Sequence, residues 1–211
     1  MTAENPTPVP NRRPVLLLVT GPSGSGKTTV VRCMLERLPG LARVVTCTTR
    51  PPRPGEQDGV DYHFLKPEEF ERRLREGDLL EHATVYGHGY GTPRSGLVRQ
   101  LEAGQDLLLN LDVQGTLTLR RLAREDRLLG DCLVTVFLTP GRREELERRL
   151  RGRGTDPEEA IARRLAVARE ELRYATECDY LVWSGTIEED YRRVAAIYEA
   201  ERWRRHRVPL P

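Results

Sequence analysis

Five consecutive apolar residues, Val15-Leu16-Leu17-Leu18-Val19, stand between a polar N-terminal stretch and a Gly-Pro-Ser-Gly turn. A run without polar alternation is the pattern of a strand buried on both faces, as in a parallel sheet. The pattern returns at Leu107-Leu108-Leu109-Asn110-Leu111 and at Leu133-Val134-Thr135-Val136-Phe137-Leu138, each after a helical stretch, and in shorter form at Tyr180-Leu181-Val182-Trp183. Helices are predicted from about Lys27 to Leu38, stopped by Pro39-Gly40, from Pro67 to near Gly77, from Thr92-Pro93 to near Gly104, and over residues 187–206. Residues 141–175 read as helical and charged, with a break at Gly152-Arg153-Gly154. Strands alternating with helices predict an α/β fold with a central, mostly parallel sheet between helical layers.

Residues 41–66 depart from this rhythm. They hold short strand-like pieces, the turn Pro51-Pro52-Arg53-Pro54-Gly55 and the aromatic stretch Tyr62-His63-Phe64, and Leu79 to Tyr90 reads as two short strands around a turn. Residues 1–13 lack apolar periodicity and read as a disordered leader.

The first strand runs into Gly21-Pro22-Ser23-Gly24-Ser25-Gly26-Lys27-Thr28, a complete G-x-x-x-x-G-K-[ST] match with a buried strand before it and a helix after it. Glycines let backbone N–H groups turn inward around phosphate oxygens, and the helix N-terminus adds partial positive charge. Lys27 is placed to reach the β- and γ-phosphates of ATP, and the Thr28 hydroxyl to ligate Mg²⁺. Composition sharpens the lysine. Of 34 basic residues only Lys27 and Lys66 are lysines. Arginine fills nearly every other basic position, yet a compact ammonium stands where a guanidinium fork would not fit inside the loop.

The rest of the composition mainly excludes. A net charge of +2 argues against a nucleic-acid or membrane binder. No apolar run approaches the ~18 residues of a membrane span. No basic segment followed by an apolar stretch opens the chain, so no secretory signal is expected. Cys33, Cys47, Cys132 and Cys178 are scattered without a C-x-x-C pair, which excludes a zinc site or disulfide framework and fits a cytoplasmic location.

A phosphate-binding loop alone leaves GTPases, motor and transport ATPases and small-molecule kinases open. Between Thr46 and Asp112 the chain carries Thr48-Thr49-Arg50-Pro51-Pro52-Arg53-Pro54-Gly55-Glu56, Gly59-Val60-Asp61-Tyr62-His63-Phe64, Leu80-Glu81-His82-Ala83, Tyr90-Gly91-Thr92 and Leu111-Asp112-Val113-Gln114-Gly115. In order and spacing these stretches closely resemble the guanylate kinase family. With the loop before them and Arg151-Gly152-Arg153-Gly154-Thr155 after, the resemblance covers residues 14 to 200.

The resemblance implies a P-loop core of residues 14–45, 93–140 and 176–207, an inserted mixed α+β subdomain for GMP at 46–92, and a mobile helical lid at 141–175. It implies that Arg50, Arg53, Tyr62 and Tyr90 bind the GMP phosphate, that Thr46, Glu81, Thr92 and Asp112 read the base, and that Arg149, Arg153 and Arg164 reach ATP phosphates from the lid. The implied partners are ATP and GMP, with Mg²⁺, in a monomer or small homo-oligomer. The residue types make chemical sense unaided. Arginine forks suit a phosphate dianion. A carboxylate such as Glu81 can accept from both guanine N1–H and the 2-amino group, and adenine offers neither donor. Spacing alone leaves Arg50, Arg53 and Glu81 equally readable as solvated surface charges.

Three positions depart from the family pattern: Asn110 where an aspartate is usual, His88-Gly89 before Tyr90 where Asn-Tyr is usual, and Trp183-Ser184-Gly185 where Val-Asn-Asp is common. The first implies weaker organisation of Mg²⁺ waters and the last a different hold on adenine. Two other readings remain at this stage: a non-catalytic protein-binding module of the same fold, and a P-loop kinase with another acceptor.

Overall fold

A computed structural model describes residues 12–85, 87–151 and 158–209. The elements follow in chain order as β1 (Leu16–Thr20), α1 (Lys27–Arg37), β2 (Leu41–Arg43), β3 (Cys47–Thr48), β4 (His63–Phe64), α2 (Pro67–Arg75), β5 (Leu79–Val85), β6 (His88–Pro93), α3 (Arg94–Glu102), β7 (Asp106–Asn110), α4 (Val113–Glu125), α5 (Arg127–Cys132), β8 (Leu133–Pro140), α6 (Arg143–Arg151), α7 (Glu158–Glu171), β9 (Tyr180–Ser184) and α8 (Ile187–Arg202). One 3₁₀ turn, Leu172–Glu177, precedes β9.

The five-stranded main sheet has the order β2-β7-β1-β8-β9, with every neighbouring pair parallel. β1 lies at its centre, and its residues alternate between two cores. Leu17 and Val19 pack with Val30 and Met34 of α1 and Val194 and Tyr198 of α8. Leu16 and Leu18 pack on the opposite face with Leu97, Leu101, Leu119 and Leu129 from α3, α4 and α5. Helices on both faces are why this strand has no polar alternation. The chain therefore has the three-layer fold its pattern predicts. The second sheet, β4-β3-β6-β5, is mixed: β3 runs parallel to β4, and β6 is antiparallel to both β3 and β5.

Two boundaries differ from the sequence reading. Arg12 and Arg13, assigned there to the leader, are tied to the core. Arg12 grips Asp106 with both terminal nitrogens, at 3.0 and 2.5 Å, and Arg13 pairs with Asp131. The closing helix stops at Arg202 rather than 206, because the chain turns so that the buried Arg207 donates to Pro14 O at 2.8 Å. Asp106 also accepts from Val15 N (2.7 Å) and Tyr198 Oη (2.6 Å), so one buried carboxylate joins β7, the chain entry and α8. Replacing Asp106 with alanine leaves a buried guanidinium, a phenol and an amide without their acceptor. Urea unfolding is expected to show a loss of about 3–5 kcal/mol, and an unchanged midpoint would contradict this role.

Candidate active site

The carboxyl ends of four main-sheet strands converge on one rim, the usual place for ligands in an open parallel sheet. β1 delivers the loop Gly21–Gly26, β7 delivers Asn110 and Asp112, β8 leads into α6 and β9 delivers Ser184. Gly21 takes φ +135° and passes so close to the neighbouring strand that a Cβ would collide with the Leu138 carbonyl oxygen, so no other residue fits there. Gly24 and Gly26 also take positive φ, at 87° and 101°. The helix that follows has no acidic residue in its first turn and no side-chain cap, leaving its N-terminal partial charge to a ligand. Lys27 Nζ folds back over the loop and donates to Gly21 O (2.6 Å) and Pro22 O (2.9 Å). The Ser25 hydroxyl is buried without a hydrogen-bond partner among the described residues.

The second sheet carries the other half of the site. Thr48 Oγ1 and the Thr49 N–H both donate to Gly89 O, at 2.9 Å each, and the Gly89 N–H donates to Thr49 Oγ1 at 2.8 Å. That clamp of β3 on β6 fixes the backbone just before Arg50. A Cβ at Gly89 would lie 2.9 Å from the Phe70 ring, so the departure at His88-Gly89 makes room for an aromatic of α2. Arg50 is held bidentate by Glu56, with Nη1 and Nη2 each donating at 2.9 Å, while its Nε is buried without a partner among the described residues. Glu56 and then the Tyr90 hydroxyl raise the Arg50 pKa, and Arg50 in turn lowers that of Glu56. The Arg50 guanidinium lies 5.6 Å from the Tyr62 ring centre, and Tyr62 meets Tyr90 edge to face at 6.2 Å. Arg50, Tyr62 and Tyr90 are thus brought together. Arg53 stays exposed on the Pro-rich turn, where its backbone N–H donates to Glu56 at 2.7 Å.

On the neighbouring strands Thr92 Oγ1 donates to Glu81 Oε1 at 2.5 Å, and both residues are buried. Glu81 Oε2 lies against Gly115 in the first turn of α4, where even a Cβ would come within 3.0 Å. Burial pushes the Glu81 carboxyl pKa up, opposed by the Thr92 hydroxyl and reinforced by the charge of Asp112. Asp112 itself caps α4, accepting from Gly115 N at 2.8 Å. Glu81, Thr92 and Asp112 therefore form one acidic corner. Thr46 lines a separate cleft of about 520 Å³ with Thr28, Tyr62 and Asn110.

Of the three arginines that the resemblance assigns to a lid, Arg149 reaches the phosphate loop, and Arg164 sits half-buried on α7. Arg153 lies outside the described residues. At the end of α7, burial raises the Glu171 pKa, with the charge of Lys27 opposing the rise and that of Asp112 adding to it.

Sequence reasoning missed Glu56, which holds Arg50, and Glu145, Ser184 and Asp190, which engage Arg149. Glu56 had a signal, since it closes the Thr-Thr-Arg-x-Pro-Arg-x-Gly-Glu stretch. Ser184 had one in the Trp183-Ser184-Gly185 departure, though not toward Arg149, and Glu145 and Asp190 had none.

The guanylate kinase family profile matches residues 11–201. The chain belongs to the guanylate kinase family. A guanylate kinase of Paramagnetospirillum magneticum is 44% identical over 205 residues, covering 97% of this chain and 93% of the relative. One from Sphingopyxis alaskensis is 47% identical over 197 residues, covering 93% and 87%. The crystal structure of guanylate kinase from Anaplasma phagocytophilum superposes with a TM-score of 0.73 at 31% identity, covering 94% of this chain and 91% of that one. Membership extends through both sheets and both halves of the site. No described helix is long and apolar enough to cross a membrane.

Proposed function

We propose that the chain transfers the γ-phosphoryl group of ATP to GMP, giving ADP and GDP. One observation carries the acceptor assignment: Glu81 is a buried carboxylate whose hydrogen bond among the described residues comes from a single hydroxyl, that of Thr92. A buried anion so lightly compensated is costly unless a ligand supplies donors. Guanine N1–H and its 2-amino group are two donors on one edge, while Thr92 and Asp112 border the rest of the base; Thr46, in its separate cleft, is not brought to this corner.

The acceptor phosphate is bound by Arg50, with Arg53, Tyr62 and Tyr90 around it. Glu56 holds the Arg50 fork in place before substrate arrives, so little ordering remains to be done on binding. A GMP phosphate oxygen attacks the γ-phosphorus, the bond to the β–γ bridging oxygen breaks, and ADP leaves with that electron pair. The nucleophile needs no covalent relay. Residues Gly21 to Thr28 cradle the donor phosphates, Lys27 offsets charge at the transferred group, and lid residues Arg149, Arg153 and Arg164 add positive charge and exclude water.

Among the described residues no three His, Cys, Asp or Glu side chains cluster as a metal cage. The Thr28 and Asn110 side chains line one cleft, a sparse oxygen donor set that fits Mg²⁺, which keeps most of its waters and binds largely through substrate phosphates. The Thr28 hydroxyl would hold it, with the Asn110 side-chain oxygen accepting from its waters, and it would supply charge neutralisation.

A coupled assay with ATP and GMP, AMP or UMP tests the reading. GMP is expected to be phosphorylated at least about a thousandfold better than AMP, as for a site whose buried acceptor goes unpaired with the wrong base. Efficient use of another monophosphate with GMP inert would overturn the acceptor assignment.

A further inference from the structure

The lid arginine that reaches the phosphate loop does not get there alone. Arg149 leaves α6 with its Nε donating to Glu145 Oε1 at 2.7 Å, one turn earlier on the same helix. Its Nη1 donates to Ser184 Oγ at 2.7 Å and, more weakly, to Ser25 O at 3.4 Å, while Nη2 donates to Gly185 O at 3.0 Å. The guanidinium therefore spans from the phosphate loop to the end of β9. Behind it, Ser184 Oγ donates to Asp190 Oδ2 at 2.7 Å. Asp190 is 3% exposed, accepts from Gly185 N at 2.7 Å, and has Arg193 Nη1 at 3.9 Å as its nearest ion-pair partner. All three groups pack against Gly26, where a Cβ would stand 3.8 to 3.9 Å from Arg149 Nη1, Asp190 Oδ2 and Ser184 Oγ.

The direction of the hydrogen bonds matters. A carboxylate can only accept, so Asp190 accepts a hydrogen bond from the Ser184 hydroxyl and leaves the serine lone pairs facing outward. A guanidinium can only donate, so Arg149 takes those lone pairs. The chain Asp190–Ser184–Arg149 has one polarity, and a buried negative charge stands at its far end. Such charge-assisted, mutually polarised links hold a long side chain far more firmly than a lone hydroxyl would. Gly185 belongs to the same device. Its Cβ would collide with Glu189 Oε2, whose carboxylate caps Thr186 at the head of α8 and so keeps Asp190 facing inward.

We infer that Ser184 and Asp190 are positioning residues for the phosphoryl-transfer step: they set Arg149 at the mouth of the phosphate loop, ready for the donor phosphates. The inference rests on the GMP kinase reading for its kinetic test. Trp183-Ser184-Gly185, where the chain leaves its family's pattern, thereby acquires a role toward the lid. Neither residue needs to touch nucleotide.

The test is a double-mutant cycle read by steady-state kinetics and by calorimetric ADP binding, with thermal melting to monitor the fold. Ser184→Ala is expected to lower kcat/KM for ATP by about tenfold to a hundredfold, the effect of misplacing a catalytic group by about an ångström, with KM for GMP unchanged. Ser184→Thr, which keeps the hydroxyl, should restore most of the loss. Asp190→Asn should resemble Ser184→Ala, because an amide N–H would donate to the serine and turn its proton toward Arg149. Arg149→Ala should lose more than either, and adding Ser184→Ala to it should cost nothing further. Multiplicative losses in the double variant, or wild-type kinetics for Ser184→Ala, would overturn the inference. If Ser184→Ala fails to fold, Asp190→Asn alone and with Arg149→Ala carries the same cycle. If the wild-type chain fails to phosphorylate GMP, the acceptor reading falls while ADP affinity still reads the cycle: Arg149→Ala and the double variant should bind ADP equally, and unequal binding would overturn the positioning role.

Discussion

Lys27→Ala is expected to lower turnover of ATP and GMP by about a thousandfold or more, at nearly unchanged stability, since removing one preorganised charge aimed at a transferring phosphoryl group costs at least that much. In the free structure the ammonium is parked on Gly21 O and Pro22 O, both carbonyls of the loop it serves. Those bonds tie the ammonium to the loop and give the side chain a fixed reach. Their loss costs about 1 kcal/mol each before water replaces the donor, too little to unfold a domain whose β1 and α1 are packed into a continuous core. Lys27→Arg should fare almost as badly. A planar fork needs more width than a loop closed by positive-φ glycines at 21, 24 and 26 allows. A coupled spectrophotometric assay beside thermal melts checks both variants. Retention of more than about a tenth of turnover by either one would remove Lys27 from the transfer step.

Legibility in the sequence followed the length of each pattern. β1, β7 and β8 could be read because they are central strands covered on both sides, which leaves an unbroken apolar run. β3 and β4 could not be placed, because two residues each carry no period; their identity comes from ladder partners such as Gly91 and His63, far away in the chain. The split between α4 and α5 at Asp126 also escaped, since a carboxylate that caps the next helix through Leu129 N looks like any other surface acid. The site divides the same way. The phosphate loop and the Thr48–Glu56 stretch are contiguous, so their chemistry is written locally. Asp190 is one of 32 acidic residues, and nothing in its neighbourhood marks it. Only the fold shows that it is buried and linked through Ser184 to an arginine forty-one positions earlier. Arg12 erred in the opposite direction: a polar, proline-rich context suggested disorder, but a single buried acceptor, Asp106, captures it.

Glu81→Gln is expected to separate stability from recognition. Glutamine keeps the shape and still accepts from Thr92 Oγ1, but it offers an N–H₂ where guanine also presents donors. Losing two charge-assisted acceptors corresponds to at least about a hundredfold to a thousandfold in kcat/KM for GMP, with ATP affinity unchanged. The stability effect runs the other way. Burial and Asp112 raise the folded-state pKa of Glu81 above its ordinary value, so the native protein holds this proton more tightly than the unfolded chain does. Linkage then makes the native state lose stability as pH rises from the ordinary carboxylate pKa through the raised one. The neutral amide is exempt from that loss. At neutral pH the free Glu81→Gln protein should therefore melt higher than wild type, and the advantage should fade below the ordinary carboxylate pKa, where Glu81 is protonated in both states. Saturating GMP should reverse the order at neutral pH, because only the carboxylate regains its missing donors from the base. Thermal melts across pH, with and without GMP, read all three comparisons. Equal loss of ATP and GMP binding, or a lower melting temperature for the free variant at neutral pH, would place Glu81 in the scaffold instead of at the guanine edge.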